Sequence, residues 1–182
     1  MKTHSLVKIL LMLLLISVNN LSYAEQWQTI EHYQVNEGLV KDTNTKLMWM
    51  RCSIGKTWDG STCTGKEDAI DWEKAMALPR KFEYSGYKDW RVPTKDELQG
   101  LVYCSSNQTS TDGHGKTACK GKFNRPTINQ KVFPNTPKIW SWTSLEAEND
   151  ANSAWLVDFY NGYGSWGGKS YYYSVRLVRD DK

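Results

Sequence analysis

Residues 88–101 read KDWRVPTKDELQGL. Thr94 and Glu97 stand three apart, the spacing of a capping box. In that device the cap hydroxyl accepts from the N3 amide and the N3 carboxylate reaches back to the cap amide. Leu98, Leu101 and Val102 then fall on one helical face. Pro93 disfavours helix at Val92, so Trp90, Arg91 and Val92 are predicted to be extended. The stretch therefore predicts a strand end turned sharply into a helix. Trp90 is expected in the core. Arg91 is expected to hold a carboxylate or backbone carbonyls at the corner. Trp90, Arg91, Thr94 and Glu97 all read as structural. Asp89 and Glu97 could form a catalytic carboxylate pair, but an arginine partner and a helix cap explain them better.

Upstream of this motif, LVKD and LMWM flank DTNTK (residues 42–46), where Asp42 and Asn44 can close an Asx-type turn. Residues 33–51 are thus predicted to form a hairpin. Thr64 and Glu67 also have capping-box spacing. Ala69, Trp72, Ala75 and Met76 follow at helical intervals, which predicts a first helix ended near Pro79. Downstream, residues 104–138 are polar and rich in Gly, Asn, Thr and Pro, and are predicted to be irregular. Strands return where Trp140 and Trp142, then Trp155, Val157 and Phe159, then Tyr171, Tyr173, Val175 and Leu177 alternate. Between the last two lies NGYGSWGGKS (161–170), predicted to be a Gly-rich turn.

The first 24 residues carry Lys2 and Lys8, then an apolar run, then Ser22 and Ala24 at the positions a signal peptidase reads. They are expected to be a cleaved secretory signal, leaving residues 25–182 as one domain. No cysteine stands at the cleavage point. Of the 182 residues, 158 remain, and removal of Lys2 and Lys8 lowers the formal net charge from +3 to +1. So neutral a chain is a poor general nucleic-acid binder. No second apolar run reaches membrane length. The expected location is the periplasm, the cell surface or the medium of a bacterium.

Export makes the four cysteines legible as disulfides. Four cysteines permit three pairings. The local pair of bridges, Cys52–Cys63 and Cys104–Cys119, is favoured because each closes a polar, Gly-containing loop. Each loop closure is worth about 3 kcal/mol. The spacings match no zinc pattern, and residues 25–182 hold only two histidines, His32 and His114.

DTNTKLMWM, an alanine-bearing helix, DWRVPTKDEL, IWSWTS, AWLVDFYNG and YYYSVRLVR occur in that order. Taken as a set, they resemble the Lcl C-terminal domain family over roughly residues 38–179. These are exported bacterial domains, one of which ends a collagen-like adhesin. The resemblance implies an α+β, C-type-lectin-like fold: two helices, antiparallel strands and a long irregular, disulfide-stapled loop region. Similar WR-P-T-x-x-E segments occur in formylglycine-generating enzymes, which share that broad fold. The adhesin relative implies binding to sulfated glycosaminoglycans, although this chain has no collagen-like Gly-X-Y tract.

Catalysis finds little support, since HExxH, GxSxG and a phosphate-binding glycine loop are all missing from the sequence. A formylglycine-type oxidase would need free thiols. Residues 146–152, EAENDAN, gather oxygen donors that could suit calcium, but a solvated turn is preferred. No cofactor or metal is expected. The expected function is an exported adhesin- or lectin-like module that recognises a glycan or a surface protein. An accessory subunit of a surface or pilus assembly is the alternative, and a formylglycine-generating-type enzyme a weaker one. Nine Trp and ten Tyr supply the aromatic faces such a module needs. Tyr163, Trp166 and Lys169 are the candidate ligand-binding residues, because a Gly-rich turn can project them outward.

Overall fold

The computed structural model describes residues 26–111 and 117–182. The expected signal segment, with Ser22 and Ala24, lies outside the described residues, as does His114 in the second cysteine loop. The backbone is mostly small antiparallel sheets with two short helices. In chain order the strands begin with β1 (Gln28–Ile30), β2 (Tyr33–Asn36), β3 (Leu39–Asp42) and β4 (Leu47–Met50). Two short pairs follow, β5 (Thr57–Trp58) with β6 (Cys63–Thr64), and β7 (Thr109–Thr111) with β8 (Thr117–Cys119). The last four strands are β9 (Trp140–Ala147), β10 (Asp150–Asp158), β11 (Gly164–Gly168) and β12 (Val178–Asp180). Helix α1 is Trp72–Ala77 and runs into a 3-10 turn, Leu78–Lys81, with Pro79 near its start. Helix α2 is Lys95–Gly100.

The main sheet has the order β1-β2-β3-β4-β12, and the second has β11-β10-β9. The predicted β3–β4 hairpin is present, and Asp42 Oδ1 accepts from the Asn44 amide at 2.9 Å. Strand β4 is buried on both faces. Leu47 and Trp49 enter one core, while Met48 and Met50 enter the other. Strand β10 does the same, with Val157 in the first core and Ala154 and Leu156 in the second. Alternation of side chains along a strand makes one strand serve two cores. Helix α2 contributes Leu98 to the first core, and α1 contributes Trp72 and Ala75 to the second.

The motif at 88–101 folds as its sequence predicts. Thr94 Oγ1 accepts from the Glu97 amide at 3.3 Å, and Glu97 Oε2 accepts from the Thr94 amide at 2.8 Å. Arg91 donates both terminal nitrogens to Glu97, each at 2.7 Å, and reaches Asp180 at 3.3 Å. Trp90 is buried, and its Nε1 donates to the Tyr84 carbonyl at 3.3 Å. Asp89 is paired with Arg179 at 2.7 and 3.0 Å rather than with Glu97. Both local disulfides are formed, Cys52–Cys63 and Cys104–Cys119.

Three expectations change. The first helix does not start at Thr64, whose hydroxyl donates to the Thr57 carbonyl inside the β5–β6 pair. Asp71 caps it instead, accepting from the Lys74 amide at 2.9 Å. The disulfide at Cys63 holds its neighbour extended, so the local capping-box signal loses. Residues 171–177 are not one alternating strand: the strand is Val178–Asp180, and residues 174–179 are buried one after another. Arg176 explains the lapse. It is fully buried and donates to the carbonyls of Met50 and Arg51 and to Thr136 Oγ1, tying three segments together. Finally, the Gly-rich stretch is not simply a turn, because residues 164–168 form β11 along the edge of β10.

Candidate functional site

Strand β11 exists because its glycines let it lie close to its neighbours. A Cβ on Gly167 would come within 2.9 Å of Leu156 Cδ1, and one on Gly164 within 3.0 Å of Gln99 Oε1. A side chain at either position would have to displace the end of Leu156 or Gln99, which the bare glycine backbone leaves in place. Gln99 Nε2 also donates to the Gly162 carbonyl at 2.8 Å. The capping-box helix therefore sets the position of β11, and with it Trp166.

The register places Trp166 opposite Trp155. Their rings meet edge to face, with centroids 5.5 Å apart and planes at 76°. Trp166 is 52% exposed. Lys95, the first residue of α2, holds its Nζ 3.8 Å from the Trp155 ring centroid. The two indoles and the tip of the β9–β10 hairpin, Ala147 to Asp150, enclose a depression of about 350 Å³. Asp150 accepts from Ser153 Oγ at 2.6 Å and from the Asn152 amide at 3.0 Å. These bonds, the serine hydroxyl first, hold its carboxyl below the usual aspartate range.

The three candidate ligand-binding residues are not gathered at one point. Trp166 lies within β11, whereas Lys169 follows its last residue, Gly168, in a turn. Lys169 lies over the Trp72 ring at 4.3 Å and pairs with Glu146 at 2.7 Å. It lines a separate groove of about 720 Å³ with Asp71, Glu73, Asn152, Ser170 and Tyr172. Tyr163 precedes β11, its amide bonded to Asn161 Oδ1 at 2.9 Å. Sequence reasoning assigned Trp155 to the core and overlooked Lys95. The β10–β11 register brings Trp155 to the cleft beside Trp166, and Lys95 lies on the Trp155 ring.

In the 146–152 segment, Glu146 is engaged with Lys169 and Asp150 with the turn. Among the described residues, no cluster of three His, Cys, Asp or Glu side chains could hold a metal ion. No described helix is long and apolar enough to cross a membrane.

Residues 38–179 match the Lcl C-terminal domain family, and the chain belongs to it. No curated protein matches the chain. The family and the two disulfides are consistent with an exported protein.

Proposed function

We propose that this member of the Lcl C-terminal domain family is an exported, adhesin- or lectin-like binding module with a C-type-lectin-like arrangement. It recognises a glycan at the tryptophan cleft. The observation that carries this reading is the half-exposed Trp166, held edge to face against Trp155 beside the tip of the β9–β10 hairpin. A large indole that presents area to solvent and is braced by a second ring suits stacking on a sugar face. The family tie to an adhesin supports the same class of function, with sulfated glycosaminoglycans among the glycans to be tried.

A protein partner, as in an accessory subunit of a surface assembly, is the second reading. It draws on Tyr171 and Tyr172, 61% and 63% exposed beside the groove of Lys169. An enzyme of the formylglycine-generating kind is disfavoured because all four cysteines are in disulfides. The deciding experiment is a glycan array on the purified exported protein, repeated with Trp166→Ala at an unchanged Tm. Binding that is lost in the variant supports the reading. Equal binding by both moves the site elsewhere, and an array with no signal favours the protein partner.

A further inference from the structure

A second depression, of about 330 Å³, opens beside Cys104 between residues 103–105 and residues 124–131, and it shares no lining residue with the tryptophan cleft. Its walls are fixed to each other. The Tyr103 amide donates to the Thr127 carbonyl at 3.0 Å, and Val102 pairs with Ile128 in an isolated β-bridge. The Asn124 amide donates to Ser105 Oγ at 2.7 Å, and the Lys131 amide donates to Asn129 Oδ1 at 3.1 Å. The Cys104–Cys119 disulfide anchors the first wall. The depression is thus formed before any ligand arrives, as small-molecule sites usually are.

Its lining has an apolar part and an amide part. Pro126 and Ile128 are buried, whereas Tyr103 is 45% exposed and presents ring area to solvent. Asn124 and Gln130 bring exposed carboxamides, and neither carboxamide has a hydrogen-bond partner among the described residues. A carboxamide both donates and accepts, which matches the hydroxyls of a sugar, and an exposed ring matches the C–H face of a pyranose. Glu31 and Lys131 add one charge of each sign, so the lining as a whole gives neither an anionic nor a cationic ligand an advantage. We propose that this depression is a second carbohydrate site, which takes a neutral hexose unit. Tyr103 covers one face of the ring, and Asn124 and Gln130 serve its hydroxyls. The proposal does not depend on the reading of the tryptophan cleft.

The test follows the side-chain amide signals of Asn124 and Gln130 by NMR while the exported protein is titrated with maltohexaose, cellohexaose and a linear mannohexaose, and separately with a heparin hexasaccharide. At least one neutral probe should move both signals, with an affinity that salt leaves unchanged. Tyr103→Ala, at an unchanged Tm, should weaken that binding about three- to tenfold. Gln130→Ala should weaken it by a similar factor, about threefold or more. Trp166→Ala should leave it as in wild type. Signals that stay still with every neutral probe, or that move with heparin alone, overturn the proposal. So does a Tyr103→Ala variant that binds like wild type. None of these three results touches the tryptophan cleft, which Trp166→Ala tests on the glycan array. Loss of the signal movement in Trp166→Ala also overturns the proposal, because the cleft alone would then account for the binding.

Discussion

Residues 88–101 and residues 161–177 are similar in length, yet they fold by different logic. In the first, the bonds that define the corner close within a few residues, Thr94 with Glu97, Arg91 with Glu97 and Trp90 with Tyr84, and Asp89 and Arg91 add remote pairs to Arg179 and Asp180. In the second, the partners are far away. Trp166 meets Trp155 across a strand pair, Gly164 lies under α2, and Arg176 donates to carbonyls more than a hundred residues upstream. A segment whose bonds are local carries its own instructions. One whose bonds are remote takes its conformation from whatever it docks on.

The largest expected effect tests the local segment at its largest buried side chain. Trp90→Ala should cost about 3–5 kcal/mol, since it removes a buried indole from the second core. Chemical denaturation reads this directly, and a near-zero cost would mean that the motif is a surface feature. The matching test of the remote segment is Arg176→Leu, which strands the carbonyls it serves and should cost about 2–3 kcal/mol. A small loss there would show that residues 171–177 are held by apolar packing alone.

Thr94→Ala should cost about 1 kcal/mol, the usual value of a cap. Acid provides a finer probe. Arg91, followed by the Thr94 amide, holds the Glu97 carboxyl below its ordinary value of 4.5. A carboxyl whose folded pKa is depressed stabilises the fold above its unfolded pKa. That contribution is lost as pH falls through the folded value. Wild-type stability should therefore decline below about pH 4.5 more steeply than that of Glu97→Gln, as read from Tm against pH. Parallel curves would remove Glu97 from the corner's electrostatics. The smallest expected change is in the stability of Trp166→Ala, about 0.5 kcal/mol or less for a half-exposed ring. A steep fall would return Trp166 to the core.

The same contrast explains what could be read before any coordinates. The capping box, the Asx turn at Asp42 and the two disulfides depend on short spacings and were legible. The 64–67 spacing misled because a disulfide and a two-residue strand pair outcompete a cap. Periodicity at Trp155 pointed to a strand, and the strand is there. Which tryptophan it would face depends on a register set by glycines and by α2. Arg176 was invisible for a related reason. In sequence it looks like the polar member of an alternating strand, and only the convergence of Met50, Arg51 and Thr136 makes it an interior residue.

Strand β12 lies against β4, and Val175, Leu177 and Val178 fill the two cores begun near residue 39. A chain that emerges amino end first from a ribosome or a translocation channel has already presented β1 to β4 long before these residues arrive. Until they do, the outer edge of β4 is open, and neither apolar interior is closed. Pairing of so distant a segment carries a loop-closure cost and comes late. Through that interval the nascent sheet edge is a template for other strands. The interval before residues 175–180 arrive is thus the period in which this domain is most exposed to misassembly, and their arrival ends it.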